Sequence, residues 1–127
     1  MENKMIFTPE ENSFIFEAEG KKLRVSYEEH SGDHESSMAF CKDHGGGDET
    51  VEHWRLISKY RDAINEELKK LGKTLIEGWY WVNELSWRYD DCAFVVTTNN
   101  GRVNNDYRSN YNNARAVSAF HFENFEF

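Results

Sequence analysis

Between residues 79 and 120 an aromatic cluster gives way to an asparagine-crowded segment and then to an apolar run, and few folds accommodate that order. The stretch follows Gly78 with Trp79-Tyr80-Trp81, passes through Cys92-Ala93-Phe94-Val95-Val96 and turns at Asn99-Asn100-Gly101. It continues as Arg102-Val103-Asn104-Asn105-Asp106-Tyr107-Arg108-Ser109-Asn110-Tyr111-Asn112-Asn113 and closes on Ala114-Arg115-Ala116-Val117-Ser118-Ala119-Phe120. Asparagine has low strand propensity and favours turns. Set before a strand-like apolar ending, it suggests a rigid frame displaying a polar, irregular surface. Such a surface suits recognition.

At 127 residues the chain is one domain's worth, residues 1–127, with residues 1–12 a polar lead-in. Trp 4, Tyr 6 and Phe 9 make the chain 15% aromatic, so a few large side chains supply much of the buried area. A disordered chain would not carry that load, and the low mean hydropathy of -0.83 then points to long polar loops. The formal net charge of -8 argues against nucleic acid and against an anionic membrane surface, whose phosphates it would repel. Arg102, Arg108 and Arg115 are scattered and form no basic patch. No apolar run reaches membrane-spanning length, and Met1-Glu2-Asn3-Lys4-Met5 does not open a secretory signal, so a cytoplasmic or phage-associated setting is expected. Cys41 and Cys92 do not make a disulfide framework, and buried free thiols are the expectation.

Along the chain, Met5-Ile6-Phe7 reads as a short edge strand before Pro9. Phe14-Ile15-Phe16-Glu17-Ala18 and Leu23-Arg24-Val25-Ser26-Tyr27 alternate around Gly20-Lys21-Lys22 and predict a β-hairpin. Its two inward rows are Phe14, Phe16 and Ala18, and Leu23, Val25 and Tyr27. A short helix over residues 35–44, with Met38, Ala39 and Cys41 on its apolar side, stops at Gly45-Gly46-Gly47. Residues 48–53 read as a polar connection and Trp54-Arg55-Leu56-Ile57 as a short apolar anchor. Ser58 is a natural N-cap for a helix over residues 59–71, whose Tyr60, Ile64, Leu68 and Leu71 form one stripe ended by Gly72. Beyond Gly78 come strands over residues 80–82 and 93–97, a hairpin turn at Asn99-Asn100-Gly101, a short return strand Arg102-Val103-Asn104, and a closing strand over residues 115–120.

That order resembles the bacterial C-type-lectin-like domains of the major-paralogous-domain type, over roughly residues 35–120. Those families read tryptophan-arginine-leucine-proline-threonine before the second helix; here it is Trp54-Arg55-Leu56-Ile57-Ser58. Their tryptophan-tyrosine-tryptophan mark followed by serines and a glutamate is matched by Trp79-Tyr80-Trp81-Val82-Asn83-Glu84, and their valine-arginine-proline-valine mark by Ala114-Arg115-Ala116-Val117. A narrower resemblance covers residues 99–113, which look like the variable region of proteins diversified by retroelements. Mutagenised adenine-rich Asn codons there yield the Asn, Asp, Tyr and Ser palette seen here. What these resemblances imply is an α+β C-type-lectin-like fold, two helices packed on a twisted, mostly antiparallel sheet with long loops, carrying a ligand-binding face. Ile57 stands in the family's proline position and Val82-Asn83 in that of its serines. The calcium-dependent lectin signatures glutamate-proline-asparagine and tryptophan-asparagine-aspartate are missing, although Asp90-Asp91 and Asn83-Glu84 supply oxygens in the same half. Formylglycine-generating enzymes share the general fold and use a cysteine pair, but their motif is not recognisable here.

Alternation places Trp79 and Trp81 inward and Tyr80 outward, although Trp79-Tyr80-Trp81 could also serve as a stacking platform. Trp87 and Tyr89, among charged neighbours, are surface candidates open to a binding or a structural role. His30 and His34 have a metal-like spacing but sit beside Ser31-Gly32, which favours solvated loop histidines; Cys41 and Cys92 read as core fillers rather than nucleophiles. Arg115 reads as a frame residue holding loop carbonyls or a carboxylate, and Glu28-Glu29 and Glu66-Glu67 as solubilising charge.

The expectation is a non-enzymatic recognition module that needs no cofactor and no metal and meets a protein or a glycan. Its face comprises Trp87, Tyr89, Asn104, Asn105, Asp106, Tyr107, Ser109, Asn110, Tyr111 and Asn112. Tyr and Trp give rigid amphipathic contact while Asn and Ser adapt their hydrogen bonds. The alternatives are a small enzyme or metal-dependent lectin on the same frame, with a pocket joining His30, His34 or Asp90-Asp91, and an assembly subunit whose Asn-rich face is an oligomer interface.

Overall fold

A computed structural model describes residues 4–120, so Met1, Glu2 and Asn3 of the predicted lead-in lie outside the described residues. The chain forms an α+β structure of three helices and two mostly antiparallel open sheets, where one sheet and two helices are expected from the sequence.

The first sheet has the order β1-β2-β3-β9. Strand β1 (Ile6–Pro9) is its edge, and β2 (Ser13–Ala18) and β3 (Lys21–Ser26) are the predicted hairpin. Phe14, Phe16 and Ala18 are buried on one strand and Leu23 and Val25 on the other, in the registers Phe14↔Val25 and Phe16↔Leu23. The turn itself is Glu19-Gly20 rather than Gly20-Lys21-Lys22. Both of its residues have positive φ (53° and 80°), which matches the right-handed twist of the strands it joins. Strand β9 (Val117–Ala119) pairs with β3.

Strand β4 (His30–Gly32) leads into α1 (His34–Asp43), capped by Asp33, whose carboxylate accepts from Ser36 N at 2.9 Å. The helix ends where predicted, with Gly45 at φ 83°. The next region corrects the sequence reading. Residues 51–57 are neither connection nor anchor but most of α2 (Val51–Lys59), whose true cap is Thr50, accepting from His53 N at 3.1 Å. Ser58 lies inside that helix, and its hydroxyl donates back to Trp54 O at 2.7 Å. Tyr60 breaks the path, and α3 (Arg61–Lys70) follows without a side-chain cap. Ile64 and Leu68 face the core as predicted, whereas Leu71 is exposed.

The second sheet runs β4-β8-β5-β6-β7 and contains β5 (Trp79–Leu85), β6 (Cys92–Thr97), β7 (Val103–Tyr107) and β8 (Asn112–Ala114). Strand β5 is central, and its first half, through Val82, is covered on both faces. Tyr80 and Val82 join the main core, with Tyr80 stacked on Trp54 at 4.3 Å, while Trp81 packs with Ala93, Val95 and Met38 of α1. Hence Tyr80 is fully buried and Trp79 only half-buried, against the expected alternation. A strand covered on both sides has no solvent face to alternate with. Strand β7 extends to Tyr107, well past the expected return strand. The expected closing strand over residues 115–120 is shortened to β9; a separate short strand, β8, precedes it in the other sheet, with Arg115 at the crossing between them.

Candidate functional site

Two connections meet at one end of the second sheet. The β5–β6 connection is drawn tight by Ser86, whose hydroxyl accepts from Arg88 N and Tyr89 N, each at 3.1 Å, and by Cys92 N donating to Tyr89 O. Small polar Ser86 thereby leaves Trp87 and Tyr89 pointing out, 83% and 49% exposed. The Trp87 ring meets Phe94 edge-on at 6.4 Å and is otherwise open.

The β7–β8 connection is joined to it through Arg108. Arg108 N donates to Asp91 O at 2.9 Å, its guanidinium to Asp90 O at 2.8 Å, and its carbonyl accepts from His34 N at 2.9 Å. Three segments are thus fastened by a residue that the sequence reading set aside as scattered charge. Arg108 stands out only as the lone cation amid the amides, a weak signal.

Within this connection the structure divides the expected face residues by role. Asp106 is a hub: its carboxylate accepts from Tyr107 N at 2.9 Å and from the side-chain amides of Asn110 and Asn112, each at 2.8 Å. Asp106, Asn110 and Asn112 therefore shape the loop. Tyr107, Ser109 and Tyr111 are displayed by it, the tyrosines 56% and 74% exposed. Facing residues in a ladder share a side. The registers Phe94↔Asn105 and Cys92↔Tyr107 place Asn105 and Tyr107 on the Phe94 side with Trp87, while Val95↔Asn104 and Ala93↔Asp106 place Asn104 and Asp106 on the α1 side. The expected face is therefore split across the sheet. Asn105 is half-buried, with a buried Oδ1 that has no partner among the described residues.

The histidines depart from the expected solvated loops. His34 begins α1 and is buried, its Nε2–H donating to Val82 O at 3.0 Å and its ring edge-on to Trp81. Burial holds its pKa below the usual imidazole value. His30 lies in β4, with Nε2 at 3.0 Å from Ser36 Oγ. Among the described residues no three metal-ligating side chains converge.

Cys41 and Cys92 are buried free thiols. Burial pushes Cys41 far above the ordinary thiol range, and its Sγ donates to Arg115 O at 3.4 Å. Arg115 is the frame residue expected: wholly buried, it bonds Glu29 at 2.8 Å and the carbonyls of Ser26, Thr74 and Leu75. Glu29 is accordingly a structural counter-ion, not solubilising charge.

Two further features escaped the sequence reading. Buried Glu49 accepts from Val117 N at 2.8 Å and Gly47 N at 2.9 Å, and its carbonyl accepts from Asn83 N, so it couples both sheets. A hollow of about 1030 Å³ runs along α2 to the Asn99-Asn100-Gly101 turn, with Arg55, Lys59, Arg61 and Glu84 in its walls. None of the expected face residues lines it. A smaller one of about 590 Å³ touches the face at Tyr107 and Ser109 and reaches His34 and Met38. Among the described residues no helix is long and apolar enough to cross a membrane.

Comparison with protein-family models, with curated proteins and with solved structures returned no match to this chain.

Proposed function

We propose that the chain is a non-enzymatic ligand-recognition module on a C-type-lectin-like scaffold, with a binding face centred on Trp87, Tyr89, Tyr107, Ser109 and Tyr111. The observation that carries this reading is the exposure of Trp87 (83%) and Tyr111 (74%) on connections otherwise held by a dense hydrogen-bond network. Large aromatics left in water beside ordered loops offer contact area at little entropic cost. Asn104, Asn105, Asp106, Asn110 and Asn112 shape or border the face. The partner is a protein or a glycan, either of which tolerates an acidic module of net charge -8.

The scaffold reading draws on the order of hairpin, helices and aromatic strand, and on Arg115 standing in the family's arginine position and acting as a frame residue. The resemblance of residues 99–113 to a retroelement-diversified region adds a population-level expectation: sibling copies differ at Asn104, Tyr107, Ser109 and Tyr111 while keeping Trp79-Tyr80-Trp81 and Arg115.

Panning a displayed peptide library and a glycan array with the native protein, and again with a W87A/Y107A/Y111A variant, tests the proposal. Ligands lost with the variant support it. Ligands that bind both proteins equally place recognition elsewhere on the molecule and overturn it.

A further inference from the structure

Two of the outward N–H groups of β7 are taken by its own side chains. In the β6–β7 ladder Thr97 N donates to Arg102 O at 3.0 Å, and Arg108 N to Asp91 O at 2.9 Å, which fixes the alternation between them. Asn104 and Asp106 therefore turn their main-chain groups toward β6, while Val103, Asn105 and Tyr107 turn theirs away from the sheet. Strand β7 is the last in its sheet, and outward N–H groups on such a strand are a template for another chain.

Two of those donors are already taken. Asn105 N donates to Asn104 Oδ1 at 2.8 Å, and Tyr107 N to Asp106 Oδ1 at 2.9 Å. Each acceptor belongs to the residue just before the donor, so a side chain that projects from the sheet face folds over the rim. The Asp106 carboxylate is fixed in that pose by the amides of Asn110 and Asn112, and Tyr107 O is occupied by Asn110 N at 2.9 Å. The rim of the other sheet is treated alike: Val117 N and Ala119 N of β9 donate to Glu49 Oε2 and Asp48 Oδ2, each at 2.8 Å. There the carboxylates come from a separate loop, whereas β7 supplies its own.

We infer that Asn104 and Asp106 are intramolecular caps that close β7 to strand addition. A second copy of this chain is thereby kept from extending the five-stranded sheet. Where the recognition reading above holds, on which this last step rests, a partner meets the face through side chains rather than by adding a strand.

The test uses the free full-length protein, so its outcome is separable from any ligand result. Amide hydrogen exchange is followed by NMR, with the outward-facing Val103 amide, which has no side-chain acceptor among the described residues, as internal reference. In the native protein the Asn105 and Tyr107 amides exchange about tenfold more slowly than Val103, the protection one net hydrogen bond gives. N104A removes that protection at Asn105 alone, and N104D, which keeps an oxygen in place, restores it. Light scattering finds N104A/D106A passing from monomer to concentration-dependent dimer where the native protein does not. Equal exchange at Val103 and Asn105 in the native protein, an N104A change no larger than N104D's, or a double variant that stays folded and monomeric each overturn the inference.

Discussion

Arg115 and Glu29 meet at 2.8 Å with the guanidinium wholly inside the protein and the carboxylate one-fifth exposed. The same carboxylate oxygen accepts from Tyr80 OH, and Tyr80 lies flat on Trp54. One ion pair therefore links the crossing between β8 and β9, the central strand and α2. The remaining guanidinium hydrogens reach the carbonyls of Thr74 and Leu75, which pins the segment after α3.

Removing Arg115 strips Glu29 of its counter-ion, leaving it Tyr80 OH alone, and takes the donor from the carbonyls of Ser26, Thr74 and Leu75. R115A is expected to lose about 3–5 kcal/mol in urea denaturation, enough to unfold a marginal domain. R115K is expected to lose much of that as well, because an ammonium cannot span the carboxylate and the carbonyls in the fixed fork of a guanidinium. An R115K protein of native stability would refute the frame role.

Adjacent glycines separate two mechanisms. A Cβ on Gly46 would lie 2.1 Å from Glu49 Oε2 and 2.9 Å from Cys41 O, whereas one on Gly45, at φ +83°, would meet nothing within 4 Å. G45A is expected to cost about 1–2 kcal/mol of backbone strain alone. G46A displaces the Glu49 carboxylate from two backbone N–H groups and is expected to cost more. Thermal denaturation of the pair decides; equal losses would show that Glu49 relaxes freely.

Burial holds the Glu49 carboxyl above the usual carboxylate range, against the lowering effect of the Val117 and Gly47 N–H groups. The folded protein therefore keeps this proton at a pH where the unfolded chain has released it. Stability from this group is fully present below the unfolded value of about 4.3 and is lost as pH rises through the folded one. E49Q cannot ionise, so native stability should fall relative to E49Q as pH rises above the unfolded value of about 4.3 toward the raised folded one. Urea midpoints measured across that range check it, and a constant difference would contradict the raised pKa.

T50A removes the acceptor that caps α2 and is expected to cost about 1 kcal/mol. S58A removes only a back-bond within the helix and is expected to cost less. The reverse ranking in chemical denaturation would restore the boundary that the sequence suggests.

Tryptophans on opposite sides of the frame should respond unequally. W81A opens a cavity against Ala93 and Val95 and frees Gly32 O, and is expected to lose about 3–5 kcal/mol. W87A gives up one edge-on contact with Phe94 and is expected to lose less than about 1 kcal/mol. Denaturation midpoints for the two variants are the measurement.

The hairpin, α1 and the stripe of α3 were legible because each carries a local signature: period-two alternation, a glycine stop, and apolar spacing around a turn. The boundary of α2 was missed because Ser58 and Thr50 are both plausible caps, and only tertiary burial of Trp54 and Ile57 selects the earlier one. The burial of Tyr80 required knowing that α1 and α2 cover opposite faces of β5, a non-local fact. At the site, exposure of Trp87, Tyr107 and Tyr111 followed from their polar surroundings, but the capture of Asp106, Asn110 and Asn112 in a private network did not. Amides look alike in a sequence whether they face water or one another.

Of the chain's four tryptophans, Trp54 and Trp81 are sealed, Trp79 is half-covered and Trp87 stands 83% in water. The protein consequently contains its own optical probe. Water-borne quenchers such as iodide should dim Trp87 first, and whatever settles on its ring should shield it, so occupancy of that loop can be followed without a label.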